Sequence, residues 1–123
     1  MATVSSHILD SVSGTHAGGI RVELFRLHDD GGKELVFDAI ASDEGRITET
    51  VDATVFNSTT EYELIFHTAD YFASRPNTAS AIPVNTKQVL DVVVVRMTMD
   101  DAEARYHIPL VLSPHSYTIW WSG

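Results

Sequence analysis

A chain of 123 residues with 44% hydrophobic side chains is long enough for one domain around one core and leaves little volume for a deep private cavity, so a pocket is expected between subunits. Eight Lys and Arg against seventeen Asp and Glu give a net charge of −9; with no basic stripe to neutralise phosphates, nucleic acid is excluded as a partner and an anionic membrane surface is disfavoured. The lack of cysteine excludes disulfides and thiolate chemistry and fits a reducing compartment.

The first expected strand runs from Val4 to Leu9, where Ser6 and Ile8 share one face and Ser5, His7 and Leu9 the other. The turn-rich stretch from Asp10 to Gly19 reads as a loop and leads to a second strand, Ile20 to Leu27, in which Ile20, Val22 and Leu24 alternate with Arg21 and Glu23. Asp29 to Gly32 turns the chain into a strand from Leu35 to Ala41, and Ser42 to Gly45 forms another turn that delivers Arg46. The segment from there to Thr60 is polar and poorly patterned. Glu61 to Phe66 alternates Tyr62, Leu64 and Phe66 on one face. Asp70 to Arg75 suits one short helix, with Thr68 as N-cap and Pro76 preventing its continuation. After an irregular connection from Asn77 to Asn85, the β-branched run Lys87 to Met99 suits a long central strand. Asp100 to Glu103 turns into a strand from Ala104 to Leu112, Ser113 and Pro114 break it, and Tyr117 to Trp121 forms the last. Seven or eight closely spaced strands predict an antiparallel β-sandwich.

The longest apolar run, Val89 to Val95, is interrupted by Asp91, so neither a secretory signal nor a membrane span is expected. The final Trp121, Ser122 and Gly123 are not a peroxisomal address. A cytoplasmic location is the expectation.

In the strand ending at Leu112, Tyr106, Ile108, Leu110 and Leu112 share one face, and His107, Pro109 and Val111 the other. His107 is therefore presented outward, as is His7 if Ile8 faces inward. Two imidazoles on one sheet suit proton transfer near neutrality, in hydrolysis or tautomerisation, although each alone also reads as a surface histidine. Arg46 follows a glycine turn and offers planar, multi-donor binding to a carbonyl or developing oxyanion; alternatively it pairs at the surface with Glu44, Glu49 or Asp52. The glycines Gly14, Gly18, Gly19, Gly31 and Gly32 match no phosphate loop. His16, His28, His67 and His115 are scattered through turns and strand ends, so no metal site is expected. Ser113 and Ser116 lack a nucleophile setting.

Several stretches, taken together, resemble the transthyretin-like family in its 5-hydroxyisourate hydrolase branch. Ser6-His7-Ile8-Leu9-Asp10 is similar to that family's Thr-His-Val-Leu-Asp. Ala17 to Arg26 is similar to its second strand, and Asp43 to Arg46 to its Asp-Gly-Arg turn. Tyr62 to Ala73 resembles Tyr-Arg-Leu-Val-Phe-Asp-Thr-Gly-Ala-Tyr-Phe, and Tyr106 to Pro114 resembles Tyr-His-Val-Pro-Leu-Leu-Leu-Ser-Pro. The resemblance spans nearly the whole chain. It implies an all-β, transthyretin-like antiparallel two-sheet β-sandwich with one short helix, in a single domain of residues 1–123. It further implies a homotetramer built as a dimer of dimers, with active sites on the channel between dimers. The matched His7, Arg46 and His107 would activate water and polarise the ring amide that is cut, without metal or cofactor. The vertebrate transport branch lacks this set.

Two departures mark the chain. The family's terminal Tyr-Arg-Gly-Ser is replaced by Trp120, Trp121, Ser122 and Gly123, and its Phe-Pro-Glu segment by Pro83 to Gln88. Thr118 and Trp120 should share a face of the last strand, and by the resemblance that face looks into the channel. The expected substrate-contacting residues are Thr118, Trp120 and Trp121, with indole surfaces suited to a flat aromatic ring; sealing an oligomer interface is the competing role of the tryptophans. The expected function is acid–base ring opening of a small heterocyclic substrate, 5-hydroxyisourate by family default but with recognition shifted toward a more aromatic or apolar molecule. The alternatives are a proton-transfer rearrangement in specialised metabolism, a small-ligand binding protein, or an interaction protein whose histidines are incidental.

Overall fold

The computed structural model describes residues 1–52, 59–75 and 88–123. Its elements are β1 (Ala2–Asp10), β2 (Thr15–His16), β3 (Arg21–Leu27), β4 (Lys33–Ile40), β5 (Arg46–Val51), β6 (Glu61–Phe66), α1 (Thr68–Ser74), β7 (Val93–Thr98), β8 (Arg105–His107), β9 (Leu110–Leu112) and β10 (Tyr117–Ile119). They make two sheets. In the first, β1 is central, flanked by β5 and β2 on one side and by β8 and β9 on the other, with β10 outside β9. The second has the order β4-β3-β6-β7.

Alternation along the strands builds the core between the sheets. Ala2, Val4 and Ile8 of β1 are sealed from solvent, as are Leu110 and Leu112 of β9, and they face Val22 and Leu24 of β3 and Tyr62, Leu64 and Phe66 of β6 in one cluster. Each such Val, Leu, Ile or Phe contributes about 1.5–3 kcal/mol by leaving water. The helix α1 adds Tyr71 and Phe72 to the cluster. Among the described residues no helix is long and apolar enough to cross a membrane.

Several expectations change in detail. Neighbouring strands pair antiparallel except β1 with β8 and β9, which run parallel to it. The expected strand from Ala104 to Leu112 is two strands, although the register from Thr3↔Arg105 to Ile8↔Leu110 is continuous. Pro109 has no N–H and opens the gap. The Lys87–Met99 run yields a strand only over Val93–Thr98, and it lies at a sheet edge rather than in the centre, with Val94, Arg96 and Thr98 turned to solvent. β-Branched composition favours a strand but does not locate it within a sheet. The stretch after Arg46 is not patternless: β5 buries Ile47 and Val51.

The helix begins at Thr68 itself, with His67 at the N-cap position. The Thr68 hydroxyl donates to the Asp91 carbonyl and thereby ties α1 to the chain entering β7. Pro76, the Asn77–Asn85 connection and the Pro83–Gln88 segment short of Gln88 lie outside the described residues.

Candidate active site

Parity along β1 decides what the outer face of the first sheet carries. Ile8 and Val4 point into the core, so Ser5, His7 and Leu9 point away from it. The pairing then aligns side chains in rows across four strands, about 4.8 Å apart. One row runs Thr48, Ser5, His107, Ser122, through Thr48↔Ser5, Ser5↔His107 and the bridge between His107 and Ser122. The next begins with Arg46↔His7. It continues through Pro109 to Trp120, whose N–H donates to the Pro109 carbonyl at 3.3 Å. The third holds His16, Leu9, Val111 and Thr118. Register thus sets His7, Arg46, His107, Thr118 and Trp120 on one face.

A tight turn fixes Arg46 opposite His7. Gly45 has φ of 72°, and a Cβ on it would lie 2.4 Å from the Ile8 carbonyl oxygen; only glycine combines that conformation with that approach. Its own carbonyl accepts from the Ile8 N–H at 2.7 Å. On the other side, a Cβ on Gly18 would meet the Asp43 carbonyl oxygen at 2.7 Å. The turn is therefore wedged between β1 and the segment leaving β2. The anticipated surface pairing of Arg46 with Glu44, Glu49 or Asp52 does not occur, and neither Arg46 nor Arg105 enters an ion pair among the described residues. In a chain of net charge −9, two unpaired guanidiniums flank His107.

The two imidazoles are held differently. His107 Nδ1 lies 2.8 Å from the hydroxyl of buried Ser5, and Nε2 has no hydrogen-bond partner among the described residues. His7 Nε2 lies 3.0 Å from Nδ1 of His16, with ring centroids 5.1 Å apart. Both rings titrate below the ordinary histidine value. For His7 the causes are burial first, then the charge of Arg46, with smaller contributions from His16 and His107 opposed by a backbone hydrogen bond to Glu44. For His107 they are burial, then Arg46, then Arg105. One guanidinium thus acts on both rings and favours the neutral form in which an imidazole can accept a proton.

Ser5, Ser6, Arg46, Ile47, Thr48, Arg105 and His107 line an open cleft of ≈ 340 Å³. A second cleft, of ≈ 460 Å³, lies toward the space between the sheets and includes Val95, Met97, Tyr106, Ile108, Ile119, Trp120 and Trp121. Register pairs Trp121 with Ile108, on the face opposite His107. The structure therefore groups His7, Arg46 and His107, and register puts Thr118 and Trp120 on the same face, but Trp120 lines the second cleft together with Trp121 and neither lines the cleft beside His107. Both tryptophans are exposed, 45% for Trp120 and 65% for Trp121.

Sequence reasoning missed Ser5, His16 and Arg105. Ser5 and Arg105 share the parity of His7 and His107 and were legible from it. His16 sat in a stretch read as loop, where a two-residue strand leaves no periodic signal. Of the remaining histidines, His67 faces Glu23 with Nε2 2.5 Å from Oε1. No group of three or more metal-ligating side chains occurs among the described residues.

The family model described as HIUase/Transthyretin family matches residues 4–121. A 5-hydroxyisourate hydrolase of Deinococcus radiodurans is 36% identical over 117 residues, covering 95% of this chain and 92% of that protein. Among solved structures, (S)-allantoin synthase aligns with a TM-score of 0.76 at 27% identity, over 99% of this chain but only 44% of its own, so this chain spans less than half of that protein. The 5-hydroxyisourate hydrolase of Klebsiella pneumoniae aligns over the full length of both chains with a TM-score of 0.73 at 22% identity, a likeness of fold.

Proposed function

We propose that this chain, which belongs to the HIUase/Transthyretin family, is a cyclic-amide hydrolase of the hydroxyisourate hydrolase kind. In this reading residues 1–123 act as one domain, in the cytoplasm, without metal or cofactor. The assembly is a homotetramer, a dimer of dimers whose channel receives the outer face of the β1 sheet.

The observation that carries the proposal is the setting of His107: Nδ1 on the buried Ser5 hydroxyl at 2.8 Å, Nε2 unengaged among the described residues, and the unpaired Arg46 near enough to depress its titration. A hydroxyl donates to or accepts from an imidazole nitrogen. His107 can therefore present Nε2 as a base or as an N–H while keeping its partner. In the proposed reaction, Nε2 takes a proton from water as the water oxygen attacks an electrophilic ring carbonyl. The oxyanion that forms is stabilised by the Arg46 guanidinium. The ring C–N bond then breaks as the imidazolium returns the proton to the leaving nitrogen. His7 contributes to water positioning and to the proton balance beside Arg46.

Freshly generated 5-hydroxyisourate, followed by absorbance, tests this. The wild-type protein is expected to accelerate its decay, and His107→Ala to abolish most of that acceleration. Wild-type decay no faster than in buffer would remove hydrolysis of this molecule.

The tail favours a second reading, in which the same acid–base centre acts on a flatter, more apolar ring, by hydrolysis or by proton-transfer rearrangement. Its support is Trp120, aligned with Arg46 and His7 through Pro109, where an indole face suits stacking. Thr118 would supply a hydroxyl nearby. Saturable quenching of tryptophan fluorescence by an aromatic heterocycle, lost in Trp120→Ala, would support it; quenching without turnover would favour a carrier.

A further inference from the structure

His16 is hydrogen-bonded to His7 on this face. Its Nδ1 is 3.0 Å from His7 Nε2, within hydrogen-bond distance, and the rings are tilted by 36°. The contact is built by a hairpin. Leu9 pairs with His16 and Asp10 with Thr15. The turn between them is held from inside, because one oxygen of the buried Asp10 carboxylate accepts from the N–H groups of Val12 and Ser13 and the other accepts from the Tyr71 hydroxyl at 2.8 Å. Gly14, with φ of 74°, closes the turn by donating to the Asp10 carbonyl. A carboxylate only 3% exposed therefore anchors the two-residue strand that carries His16.

We propose that His16 is a positioning residue for His7, holding Nε2 in a two-imidazole hydrogen bond and so fixing the tautomer and orientation of the His7 ring. The groups facing His7 define that tautomer. Arg46 stands across from it on β5, His107 approaches from β8, His16 from β2, and the Glu44 backbone stabilises the protonated ring. When the engaged Nε2 acts as acceptor toward His16, the neutral His7 ring carries its proton on Nδ1. Nε2 then accepts from Nδ1–H of His16, and the exposed Nε2 of His16 meets solvent. One nitrogen of His7 is engaged in this arrangement and its Nδ1–H remains a donor that can position water, which leaves His107, with Nε2 open, as the imidazole that accepts the proton. The kinetic part of this inference rests on the hydrolase reading; the hydrogen bond does not.

The test uses the full chain labelled in its histidine rings, with NMR titration and tautomer assignment of His7 and His107 in wild type, His16→Ala and His16→Asn, beside pH profiles of kcat/KM. In His16→Ala, the His7 titration is expected to move upward and its tautomers to mix, while His107 stays as it was. The rate should fall by a fraction of the ~10²-fold or more that general acid–base catalysis supplies. Asn, whose amide nitrogen can occupy the position of Nδ1, should restore both. Unchanged His7 titration and tautomer in His16→Ala would overturn the proposal, as would a rate profile identical to wild type. A shifted His7 titration in a protein without turnover would uphold the pair while the hydrolase reading fell.

Discussion

The Ser5 hydroxyl and Nδ1 of His107 lie 2.8 Å apart across 102 positions of sequence. Because that contact occupies one ring nitrogen, the other sets the direction of proton transfer in the proposed mechanism. His107→Ala is expected to lower turnover by ~10²-fold or more, and Ser5→Ala to lower it less while altering the pH profile, since the ring is then free to flip. Equal rates for wild type and His107→Ala would end its assignment as acid and base.

Arg46 has two separable effects. In the proposed mechanism its loss removes a donor to the oxyanion and is expected to cost roughly 10²–10³ in kcat, and Arg46→Lys should recover only part because a point charge lacks the planar fork. Its charge also lowers the titration of both His7 and His107. In Arg46→Met both rings should titrate at higher pH, and the acidic limb of kcat/KM should move upward with them. A variant with reduced rate and an unmoved limb would show that the charge does not reach the rings.

The same depression predicts how stability depends on pH. A histidine whose folded value lies below its ordinary value of 6.5 binds fewer protons folded than unfolded. Its contribution is present above pH 6.5 and is lost as pH falls through the lower folded value. Urea midpoints measured from pH 7.5 downward should therefore fall less steeply for a His7→Gln, His107→Gln double variant than for wild type; parallel curves would contradict the shifts.

Gly45→Ala places a Cβ where the Ile8 carbonyl oxygen would be 2.4 Å away, at a φ of 72°. The left-handed conformation alone costs about 1–2 kcal/mol, and the clash adds to it or displaces the turn. Stability should drop by at least that amount, and kcat/KM should drop further because Arg46 moves with the turn. A change within about 0.5 kcal/mol, the range of an ordinary surface substitution, would mean that the turn can relax.

The two tail indoles should separate by function. Trp120→Ala is expected to raise KM several-fold at little cost in kcat, the pattern of lost uniform binding. Trp121→Ala, on the opposite face beside Ile108, should leave kcat/KM within about twofold and instead lower thermal stability or weaken association. Reversed phenotypes would refute the assignment of faces.

Period-2 alternation was sufficient to find β1, β3 and β6 and to orient His7 and His107, because a single buried face imposes it. It was not sufficient for β5, where Glu49 interrupts the inward face between Ile47 and Val51. Nor did it find β2, too short to show any period. The apolar run around β7 suggested a central strand because hydrophobicity reports burial by any neighbour, and at this edge Val93 is buried and Met97 partly so. Pro109 was visible, but its effect on the strand follows only from the ladder it interrupts. The His7, Arg46 and His107 grouping was legible because three resembling motifs each carried one member. The His16 contact was not, since nothing in a sequence indicates how a four-residue turn returns.

The parallel junction of β1 with β8 and β9 also sets a timetable. A nascent chain exposes Ser5 and His7 about a hundred residues before the strands that flank them on one side leave the ribosome. Until then β1 has an unsatisfied edge, the sort of long-range pairing that slows folding and invites aggregation. His7 and Arg46 meet His107 only once β8 has been made and paired with β1, so the candidate site cannot assemble before the first sheet closes.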